Sequence, residues 1–459
     1  MTSYIQTLDW VVFSFCFLTL FIFLYIGHRI APKEKSLLES LVMGRALTLP
    51  LFIGTLVSTW YGGIFGVTSI AYSQGIYNFI TQGVFWYFTY ILFALFIVDR
   101  IAKYPSLTLA HLVEQRLGKK AGKIAALLNF TNLVPISYTI SLGLFFQLIF
   151  GGSPILWSFI ALVIVTLYAS FGGLRAVIFT DFIQFILMIL GVLLVFIFSI
   201  SSHGGWSFLK QNLPVSHFDP LGGESILTLI MWGIIALSTL ADPNFYQRCF
   251  AAKDTRTAKK GILISTFIWF CFDICTTGGA LYAKAVMPDL DPGNAYFVYA
   301  IKTLPDGFRG IFLAGVLATI LSTLDSYLFL GGATLAHDLI NRLKRLKVLG
   351  ITIGVFITSI LSFLLSLGFH GNIKQVWKLL GSLSSATLIL PLLCIYFLPK
   401  RINERSFIFS VALSSIAVII SEITQTWLNS IYYGIATSLF SLLLFNFYQN
   451  RKINGIHLE

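Results

Sequence analysis

The chain has 459 residues, 57% of them hydrophobic and 11% charged, and a formal net charge of +12. Soluble domains carry roughly 25% charged residues, so the composition excludes a water-soluble globular protein and predicts an all-α polytopic membrane protein. The positive balance fits basic loops on one side of a bilayer rather than nucleic-acid binding.

A spanning helix needs about 20 apolar residues, and charge-free stretches show where such helices lie. No Asp, Glu, Lys or Arg occurs from Ala46 to Val98 or from Ile124 to Leu174. Each stretch divides into two helices at polar turn residues, Ser73-Gln74-Gly75 in the first and Gly151-Gly152-Ser153-Pro154 in the second. Carried along the chain, this reading predicts thirteen spans. They lie near 10–28, 48–73, 78–98, 124–150, 154–172, 178–200, 225–246, 261–283, 310–335, 348–370, 379–397, 406–425 and 430–448.

The first span is expected to be an uncleaved helix, because Met1 to Asp9 carries no basic residue and no small-residue cleavage site follows the apolar run. Thirteen spans predict an amino terminus outside and a carboxyl terminus in the cytoplasm of a multi-pass protein in the cell inner (plasma) membrane. In that orientation only Lys210, Lys284, Lys302, Arg309, Lys374 and Lys378, of 31 basic residues, face outward. The inward set includes Lys33, Lys35, Arg45, Arg175, Arg248, Lys253, Arg342 and Lys344. The longest segments between spans are the loops 99–123, 202–224 and 284–309, so activity is expected within the membrane domain. No Walker motif points to a nucleotide-driven pump, and no paired His or nucleophile constellation points to an enzyme. Cys16, Cys249, Cys271, Cys275 and Cys394 form neither a disulfide framework nor a zinc pattern. The lipid bilayer is an expected partner, and no obligate protein partner is evident.

An ionised Asp at a helix centre costs about 2.5 to 3.5 kcal/mol on insertion scales, so carboxylates kept inside spans point to function. They are Asp181, Asp242, Asp273 and Asp325, with Glu422 nearer an outer end. Along the run Ala318 to Ser326, a helix puts Thr319, Ser322, Thr323 and Ser326 within one arc and Asp325 at its edge. Hydroxyl, carbonyl and carboxylate oxygens suit a hard alkali cation, because they replace its hydration shell without tight directional demands. Such hydroxyls also bond back to their own helix, so the run alone leaves both readings open. Gly54, Gly62, Gly63 and Gly66 surround Ser58-Thr59-Trp60-Tyr61 in one span, and Gly233 and Asp242-Pro243 lie in a later one. Interrupted spans at matching places in two halves mark binding sites in inverted-repeat transporters, where unwound backbone frees carbonyls; close helix packing is the other use of these glycines.

Four stretches together resemble the sodium:solute symporters. They are Met43-Gly44-Arg45 leading into Ser58 to Gly66; Gly172-Gly173-Leu174-Arg175-Ala176-Val177 with Thr180-Asp181-Phe182-Ile183-Gln184; Asp242-Pro243 with Gln247-Arg248 and Ala251 to Asp254; and Ala318 to Ser326 followed by Asp338. The resemblance covers nearly the whole chain. It implies a single transmembrane transporter domain over 1–459 with a leucine-transporter-like 5+5 inverted-repeat core. The first helix and loop fill 1–45, the two repeats 46–200 and 225–397, and the last two helices and tail 398–459.

By the same resemblance, the main sodium site takes carbonyls from Gly54, Val57 and Thr319 and hydroxyls from Ser322 and Thr323. Thr319 stands where the family usually has Ala. A second sodium, bound by some members, matches Asp181, Ser322, Asp325 and Ser326, although Asp325 stands where those members often have Ser. Family-matched solute positions are Ser58, Trp60, Tyr61 and Gln82, and Trp232 and Thr239 join them on geometric grounds. The Ser58 to Gly63 run looks most like the choline-transporting branch, while the positions around it depart from that branch. Other branches carry proline, sugars, monocarboxylates, pantothenate or sialic acid, and the sequence selects none. Sodium-driven uptake is the expected function; a proton-coupled carrier using Asp242 or Asp273, or a sensor that binds without transport, are the alternatives.

Overall fold

Eleven helices among the described residues are long and apolar enough to cross a membrane. The structure, a computed structural model, describes residues 4–30, 36–170, 173–340, 343 and 345–453. Lys33, Lys35, Gly172, Arg342 and Lys344 lie outside the described residues.

In chain order the long elements are α1 (Thr7–Ile30), the half-helices α2 (Leu49–Ser58) and α3 (Ile64–Gln74), and α4 (Phe79–Ile101). Then follow α5 (Lys119–Leu133), α6 (Ile136–Phe150), α7 (Pro154–Ala169), α8 (Gly173–His203), α9 (Ile226–Ala236) and α10 (Pro243–Ala251). The last six are α11 (Thr255–Val286), α12 (Phe308–Thr334), α13 (Val348–Leu367), α14 (Ile373–Phe397), α15 (Glu404–Thr424) and α16 (Ser430–Ile453). Of the thirteen expected spans, two are absent from the eleven long helices. The segment near 48–73 is the interrupted pair α2 and α3, and the one near 154–172 is the 16-residue α7. At 1.5 Å per residue α7 is about 24 Å long, short of the roughly 30 Å hydrocarbon core, so length alone does not fix the count at thirteen.

Each interruption has a local cause. Pro135, whose ring cannot continue a helix, parts α5 from α6. Gly62 and Gly63 part α2 from α3, and neither tolerates a side chain. A Cβ on Gly62 would meet Thr323 Cβ at 2.6 Å and Tyr138 Cδ1 at 2.7 Å, and one on Gly63 would meet the Trp377 ring at 2.0 Å. Asp242 ends a 3₁₀ turn (Leu237–Ala241) and caps α10, with Pro243 at the first helical position.

Helix α12 is the axis of the bundle. It is buried along nearly its whole length, whereas α1 is mostly exposed although it is the more apolar of the two. That ordering is expected in a bilayer, where the most apolar face turns to lipid and small or polar side chains mediate helix contacts. Helix α8 packs most extensively on α12, with α1, α13 and α6 also against it. Gly191 and Gly315 allow the close approach: a Cβ on Gly315 would lie 2.6 Å from the Leu187 carbonyl oxygen. On the side bearing Arg45 and Lys253, a parallel bridge joins Leu47 to Ala252. Leu47 N–H donates to the Ala251 carbonyl and Lys253 N–H to the Leu47 carbonyl, both at 3.0 Å.

Candidate functional site

The break after α2 faces the hydroxyl arc of α12. Ser322 donates its hydroxyl to the Ser58 carbonyl at 2.8 Å and lies 3.3 Å from the Thr319 carbonyl. Thr323 donates to the Thr319 carbonyl at 3.0 Å, lies 3.4 Å from the Ser58 carbonyl, and accepts the Gly62 N–H at 2.9 Å. Four oxygens, two carbonyl and two hydroxyl, thus converge between residues more than 260 positions apart. Ser58, Thr319, Ser322 and Thr323 are all fully buried. The Val57 carbonyl instead accepts from the Trp269 indole at 3.2 Å, so the α2 carbonyl turned to this cluster is that of Ser58. Gly54 sits one turn earlier, where a Cβ would strike the Phe182 ring at 2.8 Å.

Toward the loops with Arg45 and Lys253 lies a second polar cluster, built around a guanidinium. Arg248 was expected among the basic residues of an inner loop; the structure corrects this, because α10 carries it into the bundle and buries it completely. Its Nη2 lies 2.7 Å from Thr59 Oγ1, 3.1 Å from Thr55 Oγ1, 3.1 Å from Ser326 Oγ and 3.6 Å from Asp181 Oδ2. Its Nη1 donates to Asn244 Oδ1 at 3.2 Å. Thr55 donates to Asp181 at 2.5 Å, and Tyr168 donates to Asp325 at 3.1 Å. A charge removed from water is tolerated only with such pairing and hydrogen bonding. Asp181 and Ser326 are therefore neighbours of the guanidinium, Asp325 is the partner of Tyr168, and Ser322 belongs to the oxygen cluster above. Asp181 Oδ1, Asp325 Oδ1 and Arg248 Nε are buried without a hydrogen-bond partner among the described residues.

On the other side of the break is a cavity of about 120 Å³. Trp60, Tyr61, Gln82 and Trp232, expected at the solute site, line it. Ser58 and Thr239 do not: both are fully buried, and their hydroxyls turn back to the carbonyls of Thr55 and Ala236. The wall adds Trp86, Tyr138, Tyr327 and Trp377, aromatic residues the sequence reading did not single out, and one carboxylate, Asp242. Two of these had a signal in the chain. Trp86 follows Gln82 by one helical turn, and Tyr327 follows Thr323 by one turn. Trp377 gave none, because its place is set by the bare backbone of Gly63 and Gly66 on a distant helix. Asp273 lies away from this wall; it is buried and accepts from Tyr87. No group of three or more His, Cys, Asp or Glu residues suited to a transition metal occurs among the described residues.

Comparison with known proteins gives one consistent answer. The family model described as the sodium:solute symporter family matches residues 43–413. A sodium/pantothenate symporter of Escherichia coli (strain K12) is 29% identical over 183 residues, 38% of each chain. An osmoregulated proline transporter of Bacillus subtilis is 27% identical over 310 residues, 63% of this chain and 62% of that one. The Mus musculus sodium/glucose cotransporter 4 is 25% identical over 422 residues, 79% of this chain and 61% of that one. The matched stretches thus span less than two thirds of these relatives' own lengths. Among solved structures, the substrate-bound, outward-open Na+-coupled sialic acid symporter superposes with a TM-score of 0.77 at 18% identity, covering 97% of this chain and 98% of that one. The fold is accordingly leucine-transporter-like.

Proposed function

The chain belongs to the sodium:solute symporter family, and from that premise we propose that it is a secondary active symporter driving a small organic solute inward with sodium by alternating access. The observation that carries this is the convergence of the Ser58 and Thr319 carbonyls with the Ser322 and Thr323 hydroxyls. These oxygens now satisfy one another, and a sodium ion entering between them replaces those hydrogen bonds with ion contacts. Gly54, one turn earlier in α2, supplies a further carbonyl in our reading, while the Val57 carbonyl stays with the Trp269 indole. We assign no second sodium to Asp181, Ser322, Asp325 and Ser326, because Arg248 already occupies the donor positions around Asp181 and Ser326.

The repeats are taken as 46–200 and 225–397, so that α2–α3 and α9–α10 are corresponding interrupted helices. The amino terminus is assigned outside and the carboxyl terminus to the cytoplasm, from the bias of Lys and Arg among the loops. No enzymatic step is part of this reading. One sodium ion crossing 100 mV inward gains about 2.3 kcal/mol, and a tenfold gradient adds about 1.4. Together these support on the order of 500-fold accumulation per ion.

The test is solute uptake into proteoliposomes under an imposed sodium gradient, with Ser322→Ala and Thr323→Ala beside the unaltered protein. Each variant is expected to raise the sodium concentration for half-maximal uptake about tenfold, the size of one lost oxygen ligand at roughly 1.4 kcal/mol. Uptake driven equally well by a pH gradient without sodium would assign coupling to protons instead. Solute binding without uptake would make the protein a sensor.

A further inference from the structure

The wall of the cavity has an unusual chemistry for a hydrophilic solute. Four tryptophans, Trp60, Trp86, Trp232 and Trp377, and three tyrosines line about 120 Å³. Trp60 and Trp86 meet edge to face with ring centroids 5.2 Å apart, and the Trp60 ring leans on Phe245 and Trp269 behind it. Tyr138 and Tyr327 form a second edge-to-face pair at 5.0 Å. These contacts fix the rings as a rigid wall. No Lys, Arg or His lines the cavity, and its single carboxylate is Asp242. An anionic solute would meet like charge and no cationic group to hold it.

Ring faces carry the negative part of the aromatic quadrupole, and a carboxylate beside them adds full charge. A site of this kind attracts a cation whose charge is sheathed in apolar groups, because such an ion loses little hydration on entry. Resting on the symport reading above, we propose that the co-transported solute is a compact monovalent organic cation, an alkylated ammonium, held by the Trp60 and Trp86 wall with Asp242 as its counter-charge.

The geometry beside the cavity supports the same assignment. Arg248 Nη2 lies 3.6 Å from Asp181 Oδ2 and 3.1 Å from Ser326 Oγ, so it occupies the place a second sodium would take, whereas Asp242 stands on the cavity wall. One sodium is thereby paired with one organic cation. Each cycle then moves two positive charges per solute.

The experiment measures sodium-gradient-driven uptake of radiolabelled choline, used as the ammonium probe, by the full-length protein in proteoliposomes. Glucose and pantothenate uptake run in parallel. Tetramethylammonium and 3,3-dimethyl-1-butanol, an uncharged isostere of choline, serve as competitors. The expected result is saturable choline uptake, competition by tetramethylammonium, and competition by the neutral isostere at least 30-fold weaker. The reversal potential is expected to report two charges per choline. Asp242→Asn, which keeps an Asx cap on α10, is expected to weaken choline about 100-fold while leaving sodium-induced thermal stabilisation intact.

Equal competition by the neutral isostere overturns the proposal with no variant needed, so a misfolded Asp242→Asn does not spare it. Sodium-driven uptake of glucose or pantothenate without choline uptake overturns it while the symport reading stands. Absence of any choline uptake or binding overturns it as well. Choline uptake indifferent to sodium keeps the cation site and removes the symport reading.

Discussion

The two helix breaks at the centre of the molecule satisfy their exposed backbone in opposite ways. After α2, the freed groups look outward: the Ser58 carbonyl and the Gly62 N–H bond to hydroxyls of α12. Before α10, they are satisfied within the segment itself. Asp242 accepts the Asn244 N–H at 2.7 Å, and the Tyr246 hydroxyl donates to the Leu240 carbonyl at 2.9 Å. A break closed by another helix can trade those bonds for an ion, while a break closed on itself keeps its shape and presents a fixed carboxylate. On the symport reading proposed above, the first break captures the ion and the second presents the carboxylate of the cavity wall.

The link between the breaks is Arg248, which starts on α10 and ends among the hydroxyls of α2 and α12. Removing it is expected to have the largest effect on stability. Arg248→Ala leaves Asp181 buried without its cation, so a loss of about 3–5 kcal/mol is expected, read as a lower unfolding temperature in detergent. An unchanged unfolding temperature would mean that the two breaks are not energetically joined. Next in size is Gly62→Ala, whose new methyl overlaps Thr323 and Tyr138. Overpacking of this kind costs about 1–3 kcal/mol, and displacement of Thr323 is expected to raise half-saturating sodium more than it alters solute affinity. Smaller again is Tyr246→Phe, which removes one hydrogen bond inside the self-closed break. About 1 kcal/mol of stability is expected to go, with sodium dependence unchanged. A shift in sodium affinity there would erase the distinction between the breaks.

Much of this arrangement was legible in the chain because it is local. The hydroxyl run on α12 declares itself by helical spacing, and the first break by its glycines. The carboxylates Asp181 and Asp325 stood out because charge is rare in such apolar surroundings. What stayed hidden depends on remote packing. Arg248 sits six residues after Asp242, close to loop residues that are basic for topological reasons, and nothing local distinguishes a buried guanidinium from a cytosolic one. The carbonyl facing α12 is one residue from the position the family pattern implied, because Trp269, 212 positions away, draws the Val57 carbonyl to itself. Thr239 has suitable chemistry for a solute contact, yet the 3₁₀ turn that holds it directs its hydroxyl back to Ala236.

The bridge between Leu47 and Ala252 bears on how such a molecule moves. Two backbone hydrogen bonds, with the Gln247 side-chain amide donating to the Leu41 carbonyl beside them, clasp the entry to α2 onto the exit from α10. Pulling these ends apart would break all three at once, whereas carrying them together breaks none. The half-helices are thus tied at this point, and on the symport reading proposed above a displacement of α2 carries α10 with it.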